Sequence, residues 1–336
     1  MQRRSYLAML GATVPLAGLL DDSGAGTAQA QGTEDDAAGT ESADETESST
    51  ETARDVTATV GELIEGDRLH LVVESVERGA DLGEFSEPDA GNEFLLVNLA
   101  IKNVADEFVT VSNLLQTRVR DDEDYQYDQT FAGGEQNTFN DGQFAPGEVE
   151  RGALIFETPA DAGGLALTFD FDVSILGGIG RATVDLTSEA SEVAQLEQEL
   201  GIDVYGPGEA VEYGGVEVTV NDARVEDQLG QFATPDEGNE YVIVDVAITN
   251  DTGEQQRFST VLQMMVKDGE GYTYQEDFAA TASLDRAFDE GTPLADGETR
   301  RGELAYQVTE GRTPLYWVFE FELFNAGDKT FWELRS

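Results

Sequence analysis

The chain repeats itself. Gly91-Asn92-Glu93-Phe94-Leu95-Leu96-Val97-Asn98-Leu99-Ala100-Ile101-Lys102-Asn103 matches Gly238-Asn239-Glu240-Tyr241-Val242-Ile243-Val244-Asp245-Val246-Ala247-Ile248-Thr249-Asn250. Seven of 13 positions are identical, at an offset of 147. The same offset pairs Gly61-Glu62 with Gly208-Glu209, Phe85 with Phe232, and Pro88 with Pro235. It also pairs Tyr125 and Tyr127 with Tyr272 and Tyr274. After a three-residue insertion the offset becomes 150, joining Gly147-Glu148 to Gly297-Glu298 and Phe169 and Phe171 to Phe319 and Phe321. Collinear matches of this extent mean duplication, so whatever one copy folds into the other must fold into too.

Each copy reads as β. Leu95, Val97, Leu99 and Ile101 fall on alternate positions, as do Val242, Val244, Val246 and Ile248, which places four aliphatics on one strand face. Leu69, Leu71 and Val73 repeat the pattern, matched by Val216, Val218 and Val220. So do Leu165, Leu167, Phe169, Phe171 and Val173, matched by Leu315, Trp317, Phe319, Phe321 and Leu323. The intervening Asp170, Asp172, Glu320 and Glu322 are expected to face water. One wet face per strand implies antiparallel sheets, and the strand spacing implies a sandwich. The expected fold is all-β: two tandem immunoglobulin-like antiparallel β-sandwiches, over 56–186 and 204–336. Between them, over 187–203, Ser188 could cap a short helix carrying Val193, Leu196 and Leu200 and ended by Gly201. This helical connector is the expectation, with a terminal strand of the first sandwich as the alternative.

The order of motifs resembles the telokin-like immunoglobulin-fold extracellular domain, a family of unknown function from prokaryotic surface proteins and lipoproteins. A Gly-Glu precedes a strand, Pro-x-x-Gly-Asn-Glu opens a long aliphatic strand ending in Asn, and a short turn precedes Tyr. A Pro-Gly-Glu turn then leads to a strand opening with Gly. Here these are Gly61-Glu62, Pro88 to Asn103, Asp124-Tyr125, and Pro146-Gly147-Glu148 with Gly152. The second copy has Gly208-Glu209, Pro235 to Asn250, Gly271-Tyr272, and Gly297-Glu298 with Gly302, but Asp296 in place of the Pro. The resemblance spans most of 56–335. It implies an immunoglobulin-like sandwich and supplies no catalytic residue.

Charge limits the partners. There are 69 Asp plus Glu against 19 Lys plus Arg, a formal net charge of −50. No basic footprint exists for nucleic acid, whose phosphates would be repelled. Without Cys and with a single His, His70, the chain has no disulfide, thiolate metal site or multi-His metal site. Only Lys102, Lys267 and Lys329 are lysines. Acidic excess with scarce Lys resembles haloarchaeal proteins. Molar salt removes most of the self-repulsion, because the Debye length falls to roughly 3 Å at 1 M.

Residues 1–30 read as an export signal. Arg3 and Arg4 begin a twin-arginine-like motif, an apolar run spans Tyr6 to Leu20, and Ala28-Gln29-Ala30 offers a cleavage site. The run is short for a bilayer span of about 20 residues. A cleaved signal, with no stable span afterwards, is expected; a retained anchor is the alternative. Leu16-Ala17-Gly18-Leu19 has Leu where a lipobox would carry Cys, so no lipid can attach there. Residues 31–55 are rich in Glu, Asp, Ser and Thr, an acidic linker too polar to order itself.

Five features suggest chemistry, each with a plainer reading. Asp121, Asp122 and Asp124 offer clustered carboxylates for calcium, or simply a hairpin turn in an acidic protein. Asn250-Asp251-Thr252 is a glycosylation sequon at a strand end, or a turn Asn like Asn103. His70 lies out of phase with the core Leu69 and Leu71 and reads as surface. Paired carboxylates of the glycosidase type cannot be singled out among 69 acids. Gly177-Gly178-Ile179-Gly180 follows a strand but lacks the Lys and Ser/Thr of a phosphate loop. Apart from calcium, no cofactor is expected. Together these point to a non-enzymatic exported surface protein binding an unknown protein or envelope component. A carboxylate- or metal-dependent hydrolase and a structural envelope spacer are the alternatives.

Overall fold

The computed structural model describes residues 54–83, 86–111, 117–130, 137–170, 178–230, 233–321 and 329–336. The signal with Arg3 and Arg4, nearly all of the linker, and Phe85, Phe171, Asp172, Val173, Gly177, Phe232, Glu322 and Leu323 lie outside them.

The first repeat opens with β1 (Arg54–Val60), β2 (Leu63–Glu65), β3 (Leu69–Arg78), β4 (Asn92–Asn103), β5 (Val109–Val111) and β6 (Thr117–Arg120). It continues with β7 (Gln126–Tyr127), β8 (Gly142–Phe144), β9 (Val149–Pro159), β10 (Ala166–Phe169) and β11 (Ile179–Glu189). The second repeat has β12 (Val204–Tyr205), β13 (Ala210–Tyr213), β14 (Val216–Glu226), β15 (Asn239–Asn250), α1 (Thr260–Gln263) and β16 (Met264–Asp268). It ends with β17 (Thr273–Tyr274), α2 (Phe278–Thr281), β18 (Glu298–Thr309), β19 (Leu315–Glu320) and β20 (Lys329–Arg335).

Both repeats form the same pair of sheets. The orders β2-β3-β4-β9 and β1-β11-β10-β6-β7 in the first correspond to β13-β14-β15-β18 and β12-β20-β19-β16-β17 in the second. The expected sandwich is present, with one departure: β1 runs parallel to β11, and β12 parallel to β20. Even the bulges coincide. The register slips at Glu74 in β3 and at Asn221 in β14, 147 residues apart. The linker ends two residues early, since Arg54 and Asp55 already belong to β1.

The alternating aliphatics of β3, β4 and β10 meet in one core, and those of β14, β15 and β19 in the other. Trp317 and Trp332 are fully buried in the second core, and the Trp317 indole donates to the Tyr306 hydroxyl at 3.0 Å. Gly152 and Gly302 allow a backbone crossing. A Cβ on Gly152 would meet the Phe139 nitrogen at 2.5 Å, and one on Gly302 would meet Phe288 Cα at 2.4 Å. With no side chain there, Phe139 and Phe288 lie across the sheets and enter the cores.

The expectation of one wet face per strand is corrected. Leu96, Ala100, Ile155, Ile243 and Ala305 are buried on the outer faces, under Ala80 and Leu82, the 190–203 segment, and α2. Glu320 is buried too, whereas Asp170 reaches solvent and pairs with Arg181 at 2.6 Å.

The helical connector is also corrected. β11 runs to Glu189, and 190–203 is extended, with no helix. Its amides are held by the first repeat: Ala190 N donates to Val60 O, Ala194 N to Gly61 O, Glu199 N to Gly147 O and Gly201 N to Pro146 O. The Ser188 hydroxyl reaches back to Asp185 at 2.8 Å instead of capping a helix. Ala194, Leu196, Leu200 and Ile202 face inward with the period of a strand. Leu196 and Leu200 are four apart, a spacing that fits a helix and a strand equally.

Candidate functional site

Asp121 organises its own turn. Its Oδ1 accepts from the amides of Glu123 and Tyr125, both at 2.9 Å, and its Oδ2 accepts from the Tyr127 hydroxyl at 2.8 Å. That hydroxyl bond, helped by the amides, holds the Asp121 carboxyl below the usual range, and burial with Asp121 pushes Tyr127 up to about 12. Asp268 repeats the arrangement with Glu270, Tyr272 and Tyr274, at 3.0, 2.9 and 2.9 Å. Asp124 has φ 64°, and its counterpart Gly271 has φ 98°. Among the described residues no three His, Cys, Asp or Glu side chains are grouped to hold a metal ion. Of the three residues expected to hold calcium, Asp121 has both carboxylate oxygens accepting from its own turn.

Asn250 is fully buried. Its Nδ2 donates to Glu254 O at 2.7 Å and Leu294 O at 2.9 Å, and its Oδ1 accepts from the Thr252 hydroxyl at 2.7 Å. Asn103 does the same with Glu107 O and Phe144 O, both at 2.8 Å. The sequon forms a structural clasp, in which the nitrogen that would carry a glycan donates inside the fold. His70 is half-buried on β3, in register with Glu65 and Lys102.

The residues that the sequence reading missed sit where the repeats meet, within one compact unit, Thr50–Ser336. Glu148 and Glu150 come from the β9 end of the first repeat, Lys267 and Lys329 from β16 and β20 of the second. Lys329 Nζ lies 2.6 Å from Glu148 Oε1 and donates to Gln143 O at 3.0 Å. Lys267 Nζ lies 3.2 Å from Glu148 and also bonds Glu150, whose Oε2 accepts from the Thr273 hydroxyl at 2.9 Å. Burial alone would push Lys267 down, but Glu150 and Glu148 outweigh it and hold the ammonium above the ordinary range. Burial would likewise raise Glu148, but Lys329 and Lys267 hold it low. Such a cluster stays charged because each ion finds opposite charge and hydrogen bonds. Two of only three lysines in the chain are spent here, and that scarcity was the available signal.

Apolar and backbone contacts frame the joint. Ala145 packs with Met265, Val318 and Phe331. Arg151 pairs with Glu74 at 2.9 Å, donates to Leu196 O at 3.1 Å, and its amide donates to Gly271 O at 2.8 Å. Gly271 is required: a Cβ there would meet Val149 O at 2.8 Å. The docking runs one way only. Where the second repeat presents Met265, Lys267, Val318 and Phe331, strand register gives the first Arg118, Arg120, Thr168 and Thr183. That face is polar where its counterpart in the second repeat is largely apolar.

A cleft of about 300 Å³ opens beside the joint. Glu150, Thr273 and Lys329 line it, and Val261 and Leu262 of α1, both exposed, also border it. Elsewhere on the second repeat, Asp245 accepts from two guanidinium nitrogens of Arg301 at 2.8 Å and from Arg286 at 2.7 Å, while Glu303 joins Arg286 at 2.7 Å and Arg224 at 3.1 Å. This network ties β14, β15 and β18 to the loop carrying Arg286. Among the described residues no helix is long and apolar enough to cross a membrane.

The model of one family, described as Domain of unknown function (DUF4352), matches residues 58–178 and 205–329, one match per repeat. A comparison with curated proteins gives no significant match. Among solved structures, a conserved hypothetical protein from Bacillus anthracis is 21% identical, over 34% of this chain and 88% of that one, with TM-score 0.30. An uncharacterized beta-sandwich protein from Clostridium difficile 630 is 16% identical, over 41% and 99%, with TM-score 0.28. The secreted protein MPT63 from Mycobacterium tuberculosis is 15% identical, over 40% and 98%, with TM-score 0.27.

Proposed function

We propose, for a chain that belongs to the DUF4352 family in both of its repeats, a non-enzymatic role as an exported binding module. Its two immunoglobulin-like sandwiches act as one rigid body on an acidic stalk, outside the cytoplasmic membrane. The observation that carries this reading is the joint of Glu148, Glu150, Lys267 and Lys329, buried between the repeats. A spacer needs only a linker between domains. A joint that fixes two domains in one orientation serves a surface built from both, because a preorganised surface binds without the entropy of ordering it. Export rests on the Arg3-Arg4 motif and the apolar run after it.

The test is capture of envelope components by the full exported chain, beside a variant whose joint is broken by Lys267→Glu and Lys329→Glu. A binding module loses its captured component when the repeats come apart. Equal capture by both proteins would mean that each repeat binds alone, and no capture by either would favour a spacer.

A further inference from the structure

One groove runs across both repeats, and its chemistry departs from the rest of the chain. The first repeat contributes Asn137 and Asn140, from the segment that crosses β9; the second contributes Asn239, Gln275, Gln307 and Thr309. Three of the ten asparagines in the sequence are here. The side-chain amides of Asn137, Asn239 and Gln275 make no hydrogen bond to any described residue, and all three residues reach solvent. Donors and acceptors are therefore available in pairs, in a protein that elsewhere offers mostly carboxylates.

The duplication supplies the internal comparison. Gln275 stands where the first repeat has Asp128, Gln307 where it has Glu157, and Asn239 where it has Asn92. The hydrogen bond that Glu157 accepts from the Asp89 amide at 2.8 Å is kept by Gln307, which accepts from the Asp236 amide. The fold requires an acceptor at this position and is served by either residue. The second repeat nevertheless has amides at two positions where its copy keeps carboxylates, and only there does the other repeat close the groove with further amides.

We propose that this groove binds an uncharged oligosaccharide. Side-chain amides both donate and accept, and so match adjacent sugar hydroxyls, which do the same. The groove has no aliphatic pocket for peptide side chains, and Asp236 and Glu237 at its edge repel acidic sugars. The proposal rests on the reading of the chain as a binding module, and names the ligand class.

The test is calorimetric titration of the full chain with maltohexaose, chitotetraose and mannotriose, beside oligogalacturonate and an uncharged hexapeptide. At least one neutral sugar is expected to bind at about 1 mM or tighter. Its affinity should stay within about twofold between low and molar salt, since no ion pair is there to be screened. The double variant Gln275→Asp, Gln307→Glu gives the groove the charges of the first repeat and keeps the Asp236 bond. It should melt like the parent and bind at least ~10-fold more weakly, because a site built on hydrogen bonds tolerates little change in its partners. Binding of none of the three sugars, or preferential binding of oligogalacturonate or the peptide lost in the same variant, overturns the proposal. Envelope capture that persists in that case leaves the binding-module reading standing. A bound sugar recovered cleaved supports the groove while overturning the non-enzymatic role.

Discussion

Lys267 and Glu148 meet at 3.2 Å with neither side chain reaching solvent, although they belong to different repeats. Replacing Lys267 with Met removes the ammonium and leaves Glu150 buried against Thr273 and Asn140 alone. An uncompensated buried charge typically costs about 3–5 kcal/mol. Lys267→Met is therefore expected to lower the denaturant midpoint by a loss of that order. Because the joint holds both repeats, the parent should unfold in one transition and the variant in two. A variant that unfolds in one transition, within about 1 kcal/mol of the parent, would show that the pair contributes little beyond its packing.

The joint also fixes a pH dependence. Glu148 is held below its ordinary value of 4.5, so its contribution is complete above that pH and lost as pH falls through the lowered folded value. Lys267 is held above its ordinary 10.5, so its contribution is complete below that pH and lost as pH rises through the raised one. The stability gap between the parent and Glu148→Gln should be constant near neutrality and narrow in acid. Parallel stability curves down to the acid transition would place the acid sensitivity in other carboxylates.

What was legible in the sequence was what repeats locally. The period of two in Leu95 to Ile101 and Val242 to Ile248 reports one buried face, and the 147-residue offset reports that the fold occurs twice. What covers the other face was not legible, because it comes from far along the chain. Ala100 is buried by Leu196, and Val318 packs with Ala145. Nor does a list of acids say which carboxylates are already committed. Asp121 and Asn250 have the residue types of a ligand and a glycan acceptor, and only the folded turns show their oxygens and nitrogens occupied.

Calcium gives a direct check on the Asp121 turn. The carboxylate already accepts three hydrogen bonds, which leaves about one lone-pair site for a cation that takes about six to eight oxygen ligands. Titrating residues 50–336 with calcium in molar potassium chloride should give no heat beyond dilution. Asp121→Asn should lower the melting temperature equally with and without calcium. Saturable heat abolished by Asp122→Asn and Asp124→Asn would reinstate an ion at this turn.

Asn250 makes the sharper case, because its two readings predict opposite masses. As a clasp it satisfies the carbonyls of Glu254 and Leu294, which Asn250→Ala would leave without that donor. The expected loss is about 1–3 kcal/mol, the range for stranding buried polar groups. Asn103→Ala should cost a similar amount in the first repeat, where no sequon exists. Expressed in a glycosylating host, the folded chain should keep the unmodified mass at the peptide containing Asn250. A glycan found there on folded protein would require the 250–254 loop to open, and Asn250→Ala would then leave stability nearly unchanged.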